Sequence, residues 1–120
     1  MASILVIDDE IVMRTALRRV LEDAGHQVTE AIDGNEGMVR FQASSVDVVI
    51  TDMLLPQKSG LEIIKEIRET DRDVKIIAIT ALAYDAFDAA EELGANASFE
   101  KPIRMKELLN TIDLLLTNDS

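Results

Sequence analysis

The chain has 120 residues and a formal net charge of −11, from 12 Lys and Arg against 23 Asp and Glu. That length admits one domain with a single core, and a hydrophobic content of 48% excludes a disordered chain. So acidic a surface is repelled by phosphate backbones and anionic lipid, which argues against binding nucleic acid or membranes. Without cysteine there are no disulfides, thiolate metal sites or cysteine nucleophiles, in keeping with a reducing cytoplasm. The N-terminus lacks the basic start and long apolar stretch of a signal peptide, and the longest mostly apolar run, Ile76 to Tyr84, is too short to span a bilayer.

Two patterns alternate along the chain. The apolar run Ile4–Ile7 predicts a first strand. Met13, Ala16, Leu17, Val20, Leu21 and Ala24 then recur at steps of three and four, the period of a helix, with Gly25 placed to end it. Gln27–Ala31 reads as a second strand, Asp33-Gly34 as a turn, and the stretch from about Asn35 to Gln42 as a helix. A third strand, Val46–Thr51, precedes a helix marked by Ile63, Ile64 and Ile67. A fourth, Val74–Thr80, precedes one marked by Phe87, Ala90 and Leu93 and closed by Gly94. A fifth, Ala97–Glu100, leads to a last helix carrying Met105, Leu108, Leu109, Ile112, Leu115 and Leu116. The first, third and fourth strands are continuous Ile- and Val-rich runs, as expected of strands buried on both faces. Strands alternating with helices predict an α/β fold: a doubly wound, five-stranded parallel sheet with helices on both faces, spanning residues 1–120 as one domain.

Ligands of such sheets sit outside the C-terminal ends of the strands. Strand one ends in Asp8-Asp9-Glu10, strand three in Thr51-Asp52, strand four in Thr80-Ala81 and strand five in Lys101-Pro102. The separations are 44 (8 to 52), 28 (52 to 80) and 21 (80 to 101) residues, each one or two strand–helix units. Folding therefore gathers these groups. Asp8, Asp9 and Asp52 would form a pocket of like charges, whose repulsion a cation would relieve. Hard oxygen ligands in an open cluster suit Mg²⁺, which keeps several waters and shares a phosphate. With the ammonium of Lys101 and the hydroxyl of Thr80, such a site can stabilise a transferring phosphoryl group, with the central carboxylate as nucleophile.

Each feature also has a plainer reading. Asp8-Asp9-Glu10 could cap the first helix, Asp52 could be a turn residue, Thr80 a β-branched strand residue and Lys101 a solvated charge. His26 reads as a surface residue, and the five methionines as core and helix filler.

Asp8-Asp9, Asp52 followed by Pro56 and Gly60, Thr80-Ala81 and Lys101-Pro102, in that order, resemble the receiver domain of two-component response regulators, over about Ile4 to Leu116. The resemblance implies a flavodoxin-like three-layer αβα fold with strand order 2-1-3-4-5. It implies that Asp52 accepts a phosphoryl group from a sensor histidine kinase or histidine phosphotransfer protein. Asp9 would ligate Mg²⁺ directly, Asp8 largely through water, with Asp52 and the backbone carbonyl of Leu54 completing the protein ligands. Thr80 and Lys101 would contact the phosphoryl oxygens, and Pro102 would follow a cis peptide bond. The chain would then be a cytoplasmic signalling protein rather than an enzyme, assisting its own phosphorylation and dephosphorylation. Its fourth helix, fifth strand and fifth helix would present a switched surface to a downstream protein.

The chain departs from the pattern in places. Many receivers carry Tyr or Phe three residues before the strand-five Lys; here that residue is Ser98, and alternation sends Phe99 to the opposite face. Tyr84 is the candidate substitute aromatic. The positions two past Asp52 and two past Thr80 are Leu54 and Leu82, neither able to orient a water by hydrogen bonding, which predicts slow self-hydrolysis. Two other functions compete. A receiver-like interaction module that takes no phosphoryl group is opposed by the intact five-residue set. An enzyme on a similar sheet is opposed by the lack of G-x-G-x-x-G and G-x-x-x-x-G-K-[ST] motifs, by Leu54 standing where a phosphatase has a second acid, and by the lack of room for a cap domain. The Met start and brief tail Thr117-Asn118-Asp119-Ser120 favour a stand-alone receiver over an excised piece.

Overall fold

The computed structural model describes residues 1–81 and 84–117, without the side chains of residues 84–87. Strands and helices alternate as β1 (Ser3–Ile7), α1 (Ile11–Asp23), β2 (Gln27–Ala31), α2 (Gly34–Ala43), β3 (Val48–Asp52), α3 (Gly60–Thr70), β4 (Lys75–Thr80), α4 (Tyr84–Leu93), β5 (Ala97–Glu100) and α5 (Met105–Thr117). The strands form one parallel sheet in the order β2-β1-β3-β4-β5.

The alternation of each strand splits the core in two. Leu5, Ile7, Val49, Ile76 and Ala78 face one way and pack with Met38 of α2, Ile63, Ile64 and Ile67 of α3 and Ala90 of α4. Ile4, Val6, Val48, Ile50, Ile77 and Ile79 face the other and pack with Leu17 and Leu21 of α1 and Leu108 and Ile112 of α5. Every one of these strand side chains is buried, which is why β1, β3 and β4 lack a polar alternation.

Helix ends follow local chemistry. Gly25 (φ 94°) and Gly94 (φ 117°) take the left-handed backbone that ends α1 and α4, as their placement predicts. The Asp33 carboxylate caps α2 by accepting the amide of Glu36, and Ser59 and Glu62 form a reciprocal capping box on α3. At the start of α1 the capping reading fails: the N-cap residue is Glu10, and it makes no side-chain cap bond. His26 is half-buried rather than a plain surface residue, its Nδ1 accepting the Ala2 amide at 3.1 Å.

The third strand starts two residues later and ends one later than the hydrophobic run suggests. Asp47 takes over at its start: its carboxylate accepts the Ser3 amide at 2.8 Å while its own amide donates to the Ser3 carbonyl at 2.8 Å. The fourth starts at Lys75, one residue later than expected. Leu82 and the side chains of Tyr84 and Phe87, singled out above, lie outside the described residues, as do Asn118, Asp119 and Ser120.

Far from the C-terminal strand edge, Arg68 joins α3 to the turn after α4. Its Nε donates to the Gly94 carbonyl at 2.9 Å and its Nη2 to Asn96 Oδ1 at 2.8 Å, the oxygen that also accepts the Ile76 amide.

Gly60 fixes the start of α3 against the end of β3. A Cβ there would meet the Asp52 carbonyl oxygen at 2.5 Å and Met53 Cα at 2.7 Å, both backbone atoms that cannot swing aside. Gly60→Ala is therefore expected to destabilise the fold by about 2 kcal/mol, in the range of overpacking a tight site. Urea unfolding checks this; an unchanged midpoint would refute it.

Candidate functional site

Sheet register assembles the site. Ile7 pairs with Thr51, so Asp8 and Asp52, one residue further, stand side by side. Asp52 pairs with Ile79, putting Thr80 one residue beyond; Thr80 pairs with Glu100, putting Lys101 one beyond that. The chain turns from β1 toward β2 on one side and from β3 toward β4 on the other, so Asp8 and Asp52 flank the point where strand order reverses.

Lys101 sits at the centre. Its Nζ lies 2.7 Å from Asp52 Oδ2, 2.9 Å from Glu10 Oε1 and 3.2 Å from Asp8 Oδ2. The Lys101–Pro102 peptide bond is cis. Asp52 Oδ1 accepts the amide of Leu54 at 3.0 Å, so each oxygen of this carboxylate has one donor. The Asp52 side chain keeps 7% of its surface open, a narrow window rather than a seal. Asp8 is fully buried; its Oδ1 accepts the Glu10 amide at 2.9 Å, while Oδ2 has the Lys101 ion pair at 3.2 Å and no hydrogen-bond partner among the described residues. Thr80 is buried at the end of β4.

The electrostatics follow. Burial pushes the Asp8 carboxyl above its ordinary range; the Glu10 amide pulls the other way, the Asp52 charge adds to the rise, and Lys101 opposes it. Lys101 is partly desolvated, yet the carboxylates of Asp52, Glu10 and Asp8 outweigh that and hold it above its usual value. Contact with Lys101 holds Glu10 below the usual carboxylate range.

Carboxylate oxygens of Asp8, Glu10 and Asp52 lie within 4.8 Å of one another. With the orphaned buried Asp8 Oδ2 among them, this all-oxygen donor set fits a small hard divalent cation. The membership differs from the sequence expectation: Asp9 is exposed and outside this group, and Glu10 stands in it. Glu10 was legible only as the third acid of Asp8-Asp9-Glu10; the turn into α1 decides which of the last two carboxylates faces Lys101. Leu54 lies beside Asp52 through its amide, and the residue is 57% exposed. Phe99 packs on the α1 and α5 side of the sheet, as alternation predicts, and the Ser98 hydroxyl oxygen is buried with no hydrogen-bond partner among the described residues.

Comparison with known proteins decides the family. Residues 4–113 match the model of the response regulator receiver domain. The chain belongs to that family. It is similar to the response regulator receiver protein CpdR of Brucella abortus (strain 2308), at 32% identity over 97% of this chain and 98% of CpdR. It is 35% identical to the transcriptional regulatory protein DltR of Streptococcus agalactiae over 92% of its length, but it spans only about half of DltR (50%). Among solved structures, a response regulator receiver domain protein from Clostridium thermocellum superposes with a TM-score of 0.92 at 33% identity, covering 98% of this chain and 95% of that one. The chemotaxis response regulator CheY4 of Vibrio cholerae gives 0.89 at 30% identity, over 96% and 98%. Receiver domains are signalling modules of two-component systems rather than enzymes in the ordinary sense. Among the described residues, no helix is long and apolar enough to cross a membrane.

The raised Asp8 carboxyl carries a signed prediction. The folded receiver binds this proton more tightly than the unfolded chain, so ionised Asp8 costs stability at neutral pH, and the cost fades as pH falls through its folded value toward the ordinary 3.8. Asp8→Asn should therefore raise Tm at pH 7 without divalent metal, by a margin that shrinks as pH approaches about 4. Calorimetry across that range tests it; a lowered Tm at pH 7 would contradict the assignment.

Proposed function

We propose that this receiver accepts a phosphoryl group on Asp52 from a sensor histidine kinase or histidine phosphotransfer protein, in a Mg²⁺-dependent reaction, and thereby switches a protein-binding surface on α4, β5 and α5. The observation that carries the reading is the 2.7 Å contact of Lys101 Nζ with Asp52 Oδ2, inside a partly buried acidic cup built from the ends of β1, β3 and β5. Exposed Ile11 (67%) and Val12 (79%) follow Glu10 at the start of α1 and give a phosphodonor protein apolar footing beside that cup.

In the proposed transfer an Asp52 carboxylate oxygen attacks phosphorus, and the bond from phosphorus to the donor's histidine nitrogen breaks with its electron pair passing to that nitrogen. Asp8, Asp9, Asp52 and the Leu54 carbonyl are the proposed cation ligands, with Glu10 a further carboxylate at hand. A bound divalent cation supplies a Lewis acid that neutralises phosphoryl charge. Lys101 lies within an ion-pair length of Asp52 and supplies a fixed positive charge to the incoming phosphoryl oxygens; Thr80 supplies a hydroxyl from the neighbouring strand end. Asp8, unfavourably charged in its buried setting, favours a cation at its Oδ2, which has no hydrogen-bond partner among the described residues. The acidic surface makes a protein target a better fit than nucleic acid for the output of this domain, and a cytoplasmic setting agrees with the lack of cysteine.

Intact-mass measurement after incubation with acetyl phosphate should show an adduct of about one phosphoryl group per chain that needs Mg²⁺ and is missing in Asp52→Asn. No adduct on the unaltered chain in Mg²⁺ would instead favour an interaction module that works without phosphorylation.

The lifetime of that adduct should be long compared with receivers that carry polar side chains in place of Leu54 and Leu82, because neither leucine can hold an attacking water. Leu54→Asn with Leu82→Glu should shorten it in a phosphorylation chase, and an equal decay rate would defeat the explanation.

A further inference from the structure

The backbone of Asp8 is held on both sides by groups that lie outside the cup. Its amide donates to the carbonyl of Ala31 on β2 at 3.1 Å. Its own carbonyl accepts Arg14 Nη1 at 2.8 Å. Arg14 is one turn into α1, and helical side chains lean toward the N-terminus, so its guanidinium reaches back to the loop that precedes the helix. The same guanidinium donates through Nε to Glu30 Oε1 at 3.1 Å. Glu30, next to Ala31 on β2, is held in turn through Oε2 by Arg18. The Arg14 side chain is only 12% exposed.

The charge of Arg14 is compensated by Glu30, so its contribution to the acidic cup is geometric. With the Asp8 amide held by β2 and the Asp8 carbonyl by Arg14, the peptide planes on both sides of Asp8 are fixed. That sets where Asp8 Oδ2, Asp9 and Glu10 leave the strand. A guanidinium can do this because its planar fork offers two donors at fixed separation; a lysine ammonium has no such fork.

We infer that Arg14 is a positioning residue for the divalent cation of the phosphotransfer site, acting through the Asp8–Asp9 peptide and braced by Glu30. This rests on the reading that the cup binds Mg²⁺ and that Asp52 accepts a phosphoryl group. Arg14 touches neither cation nor phosphoryl group, so its loss should weaken cation binding while leaving the chemical step, once the site is filled, close to normal.

Arg14→Lys keeps the charge and removes the fork; Glu30→Ala removes the brace without touching the loop and serves if the first variant folds poorly. Calorimetric Mg²⁺ titration of the metal-free chains should show affinity weakened by about tenfold in Arg14→Lys, the lower end for groups that orient metal ligands, and by less in Glu30→Ala. Hydrogen exchange of the Glu10 amide in metal-free protein, bonded to Asp8 Oδ1, should speed up by about the same factor relative to the Ile50 amide of β3. Phosphorylation by acetyl phosphate should need more Mg²⁺ for half-maximal rate yet reach a plateau within about twofold of the unaltered chain. If both variants lose Tm but keep the Mg²⁺ affinity and the Glu10 exchange ratio, Arg14 is only a strut and the inference is overturned. Failure of the unaltered chain to bind Mg²⁺ or take a phosphoryl group would instead overturn the underlying function, and this inference with it.

Discussion

One ammonium holds three carboxylates together. Asp8, Glu10 and Asp52 would repel one another in a space a few ångströms across, and Lys101 is the charge that makes their proximity affordable. Burial still holds the Asp8 carboxyl raised, and its Oδ2 has no hydrogen-bond partner among the described residues. Three carboxylates against one ammonium leave negative charge in excess, and the sheet prevents the group from relaxing by spreading apart. Each acid of the cup is fixed by backbone: Asp52 ends β3, while Asp8 and Glu10 lie in the short link between β1 and α1.

The rigidity comes from the apolar strands rather than from the polar groups. Ile4 to Ile7, Val48 to Ile50 and Ile76 to Ile79 are buried on both faces, so a one-residue slip of any of these strands would turn its side chains into the wrong layer. That penalty locks Ile7 opposite Thr51 and Thr80 opposite Glu100, and with them the polar residues that follow. Gly60 continues the same logic beyond β3, where the approach of α3 to the Asp52 carbonyl leaves no room for a side chain.

Much of this was legible in the sequence because strand ends are easy to find. An Ile- and Val-rich run stopping at Asp8, Asp52, Thr80 or Lys101 announces both an element and its functional edge. The strand order was not readable from the runs themselves and came with the family resemblance. Two details escaped for physical reasons. Asp47 delays the start of β3 by engaging Ser3 through side chain and backbone, an interaction across 44 residues that no local pattern reveals. The choice of Glu10 over Asp9 beside Lys101 depends on the path of the backbone into α1, and adjacent acids look alike in a string of letters. Arg14 was invisible for a related reason: on the helical pattern it is merely a polar residue beside Met13.

The Arg68 clasp has a mechanical consequence. It ties the turn after α4 to α3 and to β4 through Asn96, at the end of the helix remote from Asp52. Any tilt of α4 must then pivot about that fixed end. A helix of 10 residues is about 15 Å long, so a rotation of about 10° sweeps its opposite end through about 2.6 Å. The lever arm points back toward the strand edge where Thr80 lies, and it turns a small angular change into a displacement as wide as a hydrogen bond is long.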